Sequence, residues 1–240
     1  MRTLISADTE GQLLKQGADQ FGISLSKQQL HLFSLFLEGL WTWNKRINLT
    51  GIATRREIII KLLLEPLAAL AYLPSAGTLL DVGSGAGIPG LPFKIARPDY
   101  EVHLLESKAK KVSFLKYIIR KICLKKIGAF QGRVEKSTDI PLLFDTYDIV
   151  SARALAPLPK TIRLCSPRIR KGGILVTFQG PAVHDALANS QNEIENLGFA
   201  VKTNAAYRLP ETRGERHLLI LKRVKALAQP PSYKITKRKI

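Results

Sequence analysis

The residues best suited to chemistry stand together at Asp81-Val82-Gly83-Ser84-Gly85-Ala86-Gly87, where an apolar run ends in an acid and passes at once into three alternate glycines. Alternate glycines let the backbone take φ > 0 and pass close to a ligand, and a following helix can aim its N-terminus at a negative group. Gly85-Ala86-Gly87-Ile88-Pro89-Gly90 also fits the dinucleotide pattern G-x-G-x-x-G, with Glu106 at a distance suited to a ribose. The acid ahead of the first glycine and the tighter spacing favour a cofactor whose charged end is an amino acid. Asp81 would help hold an ammonium group, and Glu106, closing the second strand, would grip a ribose. S-adenosylmethionine has both ends; a nicotinamide cofactor in an oxidoreductase is the alternative.

The rest of the chain limits the reaction. Methyl transfer to an exocyclic amine calls for Asn or Asp followed by Pro-Pro and an aromatic after the fourth strand, where this chain reads Ser151-Ala152-Arg153-Ala154-Leu155. Methylation of a pyrimidine carbon needs a cysteine nucleophile. Neither Cys123 nor Cys165 sits at a strand end, and Cys165 reads as a buried helical residue. A ring nitrogen such as guanine N7 already carries a free lone pair, so its methylation requires alignment rather than a covalent catalyst or strong base. No catalytic side chain is singled out. A methyl acceptor that becomes cationic is not helped by a neighbouring cation, so Arg153 is read as a ligand for cofactor or RNA phosphate, with an ordinary surface arginine as the alternative.

These residues need a scaffold. From Thr78 onward, short β-like runs alternate with helix-like ones, the pattern of a parallel sheet covered on both faces. Strands are expected near 78–82, 101–106, 127–131, 147–151 and 173–178, with helices near 89–97, 108–124, 157–167 and 182–197. A final hairpin pair is expected near 199–207 and 216–222. The fold class is therefore α/β, a Rossmann-like methyltransferase sheet of seven strands, mostly parallel with one antiparallel strand, behind a small N-terminal helical region. Residues 1–73 form that region, 74–223 the methyltransferase domain and 224–240 a basic tail expected to be mobile without a partner. Ser26 and Gln29 make a capping box, followed by Leu30, Phe33, Leu37, Leu40 and Trp41 at helical spacing. Trp43 to Thr50 reads as too polar to continue that helix and is expected to be a loop facing nucleic acid. Pro66 is expected to kink or stop the helix that starts after Arg55 and Arg56.

Lys and Arg outnumber Asp and Glu by 37 to 19, giving a net charge of +18, which favours a polyanionic partner. Lys108, Lys110, Lys111, Lys116, Arg120, Lys121, Lys125 and Lys126 cluster without acids, as do Lys160, Arg163, Arg168, Arg170 and Lys171. Phosphate contact is expected of both clusters and of the tail; a non-catalytic RNA-binding protein is the second alternative. There is no CxxC pairing, no apolar leader and no apolar window of about 18 residues, so no disulfide framework, metal site or membrane span is expected. A cytoplasmic monomer is expected.

The chain resembles the RsmG (GidB) family of guanine-N7 methyltransferases of 16S ribosomal RNA over most of residues 14–223. The resemblance rests on Gly22-Ile23-Ser24-Leu25, Trp43-Asn44 with Asn48-Leu49-Thr50, and the run Asp81 to Gly90. Further matches are Glu106-Ser107 with Lys110-Lys111 and Phe114-Leu115, Arg133-Val134-Glu135, Ser151-Arg153-Ala154 and Gly214-Glu215-Arg216-His217. It implies S-adenosylmethionine contacts at Gly83 and Ile88, at Val134 and Glu135 beside the adenine, at Arg153, and at Glu106 on the ribose, with 16S rRNA or the small ribosomal subunit as partner. Three departures stand out: Lys61-Leu62-Leu63-Leu64-Glu65-Pro66 replaces the family's Arg-His-x-x-Asp-Ser, Gln179 replaces a frequent Lys, and Glu106 replaces the commoner Asp.

Overall fold

The computed structural model describes residues 7–225, so the basic tail from residue 226 onward lies outside the described residues. Two helices come first, α1 (Ala7–Gln20) and α2 (Lys27–Ile47), then α3 (Arg55–Ile58), which continues through a π-helical turn at Ile59–Leu64 into α4 (Glu65–Leu67). The α/β part follows as β1 (Gly77–Val82), α5 (Gly90–Ala96), β2 (Tyr100–Glu106), α6 (Ala109–Lys121), β3 (Ile127–Gln131), β4 (Tyr147–Ala152), α7 (Leu158–Cys165) and β5 (Ile169–Gln179). It closes with α8 (Val183–Ala188), α9 (Gln191–Asn196), β6 (Phe199–Arg208) and β7 (Glu215–Arg223). The helix expected over 182–197 is thus two short ones, broken at Asn189 and Ser190.

The seven strands lie in the order β3-β2-β1-β4-β5-β7-β6. Neighbouring strands from β3 to β5 are parallel, and β7 alone runs antiparallel to both β5 and β6. Helices cover both faces, which is why the strands read as nearly continuous apolar runs. Successive residues alternate between two cores. Leu79, Leu104, Ile149, Val176 and Ile220 point to one face, where α2, α5 and α6 pack; Leu80, Leu105, Val150, Leu175 and Leu221 point to the other, under α7 and α9. The N-terminal helices share the first of these cores through Phe33, Leu37, Leu40, Leu63 and Leu67.

Local rules explain how α2 begins. Ser26 Oγ accepts from the Gln29 N–H at 3.2 Å and Gln29 Oε1 accepts from the Ser26 N–H at 2.9 Å, the reciprocal pair of a capping box. The Gln29 amide then donates to the carbonyls of Ile95 and Ala96 at 3.1 and 3.0 Å, which ties this cap to the C-terminal turn of α5. The loop expected from Trp43 is instead the last turn of α2, which ends only where Asn48 takes the left-handed conformation at φ 48°. Trp43 faces inward there, 5.7 Å from the Phe114 ring and 5.2 Å from the Tyr117 ring of α6. Its polar neighbours occupy the outer face, so the segment is amphipathic rather than irregular. Pro66 acts as expected: the helical run ends one residue later, at Leu67.

Candidate functional site

In this strand order the chain reverses direction of growth between β1 and β4, and a sheet so wound opens a crevice at the C-terminal ends of its strands. The glycine loop sits in that crevice. Gly83, Gly85 and Gly87 all have positive φ, at 72°, 56° and 86°, a region costly for any residue with a Cβ. The loop wraps the end of β2, with the N–H groups of Gly83 and Ser84 both donating to the Leu105 carbonyl at 2.8 and 3.1 Å. A Cβ at Gly83 would come within 2.9 Å of Leu155, whereas at Gly85 it would meet nothing closer than 3.8 Å, so the tip of the loop is open.

Glu106 locks this geometry. Its Oε2 accepts from the Gly85 N–H at 2.9 Å and its Oε1 from the Lys108 N–H at 2.8 Å, joining the loop to the start of α6. Glu106 is 6 % exposed; Oε1 accepts a second bond from the Ser107 hydroxyl at 3.3 Å, so Oε2 is the oxygen that retains a lone pair for a further hydroxyl donor. Beside it lies a cleft of about 210 Å³ lined by Gly83, Leu105, Ser107, Val134, Glu135 and Leu155, among others.

Gly83, Val134 and Glu135 therefore meet at one cleft with Glu106 at its edge, while Ile88 and Arg153 lie elsewhere. Ile88 is buried under the loop, in the core shared with the N-terminal helices, and its N–H donates to the Ser84 carbonyl at 3.0 Å. Arg153 turns away from the cleft toward Glu65. Its Nε donates to Glu65 Oε2 at 2.7 Å and its Nη2 to the Lys61 carbonyl at 3.2 Å. Glu65 is fully buried and also accepts from Arg216 at 2.6 Å and from the Tyr207 hydroxyl at 3.1 Å. Two guanidinium groups thus share one carboxylate and leave a net positive charge at the crevice. Burial and the adjacent Glu65 push the Tyr207 hydroxyl well above its ordinary value, which keeps it a donor.

Asp81 corrects an expectation. It is fully buried beneath the loop, accepting from Ser151 Oγ at 2.8 Å and from the Gly90 N–H at 3.2 Å, so it braces β1 against β4 and α5 and offers no surface to an ammonium group. Burial pushes its carboxyl up to about 6, against the pull of those hydrogen bonds. Lys111 stands at the open loop in its place. Its ammonium lies 3.9 Å from where a Cβ on Gly85 would be, and it has no acid partner among the described residues. The sequence places Lys111 in a basic run; its spacing of five residues from Glu106 across the strand-to-helix turn is the signal that could have set it apart.

The basic clusters divide. Lys110, Arg120 and Lys121 point outward from α6 as expected, and no ion pair joins that cluster to an acid among the described residues. The second cluster is not free of acids in space, because Arg163 pairs with Glu193 and Arg170 with Asp148. Arg168 is buried and belongs to no surface. Cys165 is also fully buried, and burial pushes its thiol up to about 12, which removes it as a nucleophile. Cys123 follows the C-terminal end of α6, at the opposite end of the sheet from the cleft. No helix among the described residues is long and apolar enough to cross a membrane.

The family model for GidB, rRNA small subunit methyltransferase G, matches residues 29–219. The ribosomal RNA small subunit methyltransferase G of Lachnoclostridium phytofermentans is 36% identical over 220 residues, covering 91% of this chain and 90% of the relative. The protein of the same name from Desulfitobacterium hafniense is 33% identical over 223 residues, covering 93% and 91%. Among solved structures, a methyltransferase from Pyrococcus furiosus superposes with a TM-score of 0.54 at 14% identity over 79% of this chain and 96% of that one. A precorrin-6y C5,15-methyltransferase from Geobacter metallireducens gives 0.51 at 17% identity over 72% and 90%. At those identities the structural likeness establishes the α/β fold with its seven-stranded sheet.

Proposed function

The chain belongs to the rRNA small subunit methyltransferase G (GidB) family, and from that premise we propose that it transfers the methyl group of S-adenosylmethionine to N7 of a guanine in 16S ribosomal RNA. The observation that carries this reading is the open glycine loop, with the buried Glu106 carboxylate at its edge and the Val134–Glu135 wall across one cleft.

The residues present fit that cofactor. The open cleft of about 210 Å³ is smaller than the roughly 300–1,000 Å³ of sites that hold a whole ligand, so it suits the adenine end alone. Val134 and Glu135 would flank the adenine and Glu106 Oε2 would accept from a ribose hydroxyl. The amino-acid end would then lie over Gly83 and Gly85, above Ile88, where the Lys111 ammonium meets its carboxylate. Arg153, anchored by Glu65, would close the site from the β4 side. When bound, the cofactor supplies an electrophilic methyl group on a sulfonium.

The chain's own part is alignment. N7 of guanine needs no proton removed before it attacks, and nothing in the cleft has to serve as nucleophile or base. The exposed cations of α6 and the Arg153–Arg216 pair would neutralise RNA phosphates, which predicts binding that weakens steeply with salt. We read residues 1–73 as a helical region packed on a methyltransferase domain at 74–223, acting as a cytoplasmic monomer.

Incubating the full chain with methyl-labelled S-adenosylmethionine and small ribosomal subunits lacking their modifications tests the reading. Label should enter 16S rRNA and stay out of the proteins. Cofactor binding without label in RNA would overturn it.

A further inference from the structure

Arg168 is only 4 % exposed, yet no carboxylate pairs with it among the described residues. Burying a cation without a counter-charge is costly, and an apolar side chain of similar volume would fill the same space at lower cost. Nη2 has no hydrogen-bond partner among the described residues, and the donors on Nε and Nη1 engage one stretch of chain. Nε donates to Ser137 Oγ at 2.8 Å, and Nη1 donates to the carbonyls of Phe144 and Asp145 at 3.0 and 3.3 Å.

The bond to Ser137 has a fixed direction. A hydroxyl has a single proton, and that of Ser137 goes to the Val134 carbonyl at 2.7 Å, so Ser137 Oγ must accept from Arg168. The relay therefore runs from Arg168, just ahead of β5, through Ser137 to Val134, which lines the cleft beside Glu135. The segment that carries these residues cannot hold itself. It is a short 3₁₀ turn, Val134–Asp139, interrupted at Lys136 by non-helical backbone at φ −117° and ψ 16°.

We propose that Arg168 is a positioning residue for cofactor binding, holding the Val134–Glu135 wall of the cleft in place through Ser137. The inference rests on the assignment of that cleft to S-adenosylmethionine, and it adds a residue outside the cleft on which affinity for the cofactor depends.

The test uses the full chain with three variants, Ser137→Ala, Arg168→Gln and their combination. S-adenosylhomocysteine affinity is measured by calorimetry and steady-state constants by methyl transfer to RNA. Each single variant should weaken cofactor binding and raise the cofactor KM by roughly five- to ten-fold, less than the roughly 10- to 150-fold worth of a hydrogen bond to a charged group because the cofactor feels the lost bond only through the wall. kcat at saturating cofactor and the KM for RNA should stay within about two-fold of wild type, because the wall touches neither the methyl group nor the RNA. The double variant should be no weaker than the worse single one, since both changes cut one relay. Ser137→Ala removes one oxygen and decides the matter alone if Arg168→Gln does not fold.

Unchanged cofactor affinity in folded Ser137→Ala, or fully additive losses in the double variant, would overturn the proposal. Failure of the wild-type protein to bind S-adenosylhomocysteine in the same titration would overturn the cofactor assignment itself, a result distinguishable from the other two.

Discussion

Replacing Glu106 by Gln separates the two duties given to this carboxylate, bracing the glycine loop and accepting from a ribose. In the native chain both oxygens accept backbone N–H groups, from Gly85 at 2.9 Å and Lys108 at 2.8 Å, at a site only 6 % exposed. A glutamine of the same shape can satisfy one of these donors and must turn its own NH₂ toward the other. The loss is one charge-assisted hydrogen bond, about 1.5–3 kcal/mol. For a chain of this size each kcal/mol moves the melting temperature by about 2–4 °C, so a fall of roughly 3–12 °C is expected in a thermal melt. If the ribose bond is worth a similar amount, affinity for S-adenosylhomocysteine falls by about 10- to 150-fold. Calorimetry well below both melting temperatures reads this second effect free of unfolding. A variant that melts with wild type would refute the bracing role, and one that binds with wild-type affinity would refute the ribose role.

Glu65→Gln should be more damaging than Arg153→Ala, because it leaves two arginines facing each other without their shared, fully buried acid. Breaking a buried pair costs about 3–5 kcal/mol; as both arginines are partly exposed and can turn to water, about 2–4 kcal/mol is expected from urea unfolding. The Arg153→Ala variant, which leaves Glu65 its Arg216 and Tyr207 partners, should lose less than half of that while binding cofactor more weakly. Asp81 gives a pH signature. Its folded carboxyl titrates near 6, above its ordinary value, so its favourable contribution is complete below the unfolded pKa and is lost as pH rises through 6. Relative to Asp81→Asn, the native chain should lose on the order of 1 kcal/mol between about pH 5 and pH 7. Equal pH slopes for the two proteins in urea unfolding would contradict the burial argument.

Much of the scaffold was legible in the sequence for a simple reason. Strands buried on both faces appear as apolar runs, and Gly and Pro punctuate them, so all seven strands lie close to where Leu79-Leu80, Leu104-Leu105 and their counterparts put them. The glycine loop was legible because positive φ at Gly83, Gly85 and Gly87 demands that residue type. What escaped were features fixed by partners far away in the chain. Trp43 reads as a loop residue until Phe114 and Tyr117 are placed against it. Arg153 meets Glu65 and Arg168 meets Ser137 across 88 and 31 positions, and charge alone does not distinguish a buried arginine from a surface one. Asp81 looked like a ligand because strand-end acids are usually accessible, and only the packing of Ser151 and Gly90 around it assigns it to the frame.

The central claim is methyl transfer to N7 of guanine in small-subunit RNA, by alignment in a site without a nucleophile. N7 methylation leaves a ring that borohydride reduces; the reduced base is then lost and aniline cleaves the RNA strand at the abasic site, whereas methylation at carbon, oxygen or an exocyclic amine gives no such cleavage. Unmodified 16S rRNA treated with the protein and S-adenosylmethionine should therefore acquire one new aniline-sensitive guanine, carrying all the transferred label. Label in RNA that aniline cannot release, or RNA that takes up no label, would contradict the account.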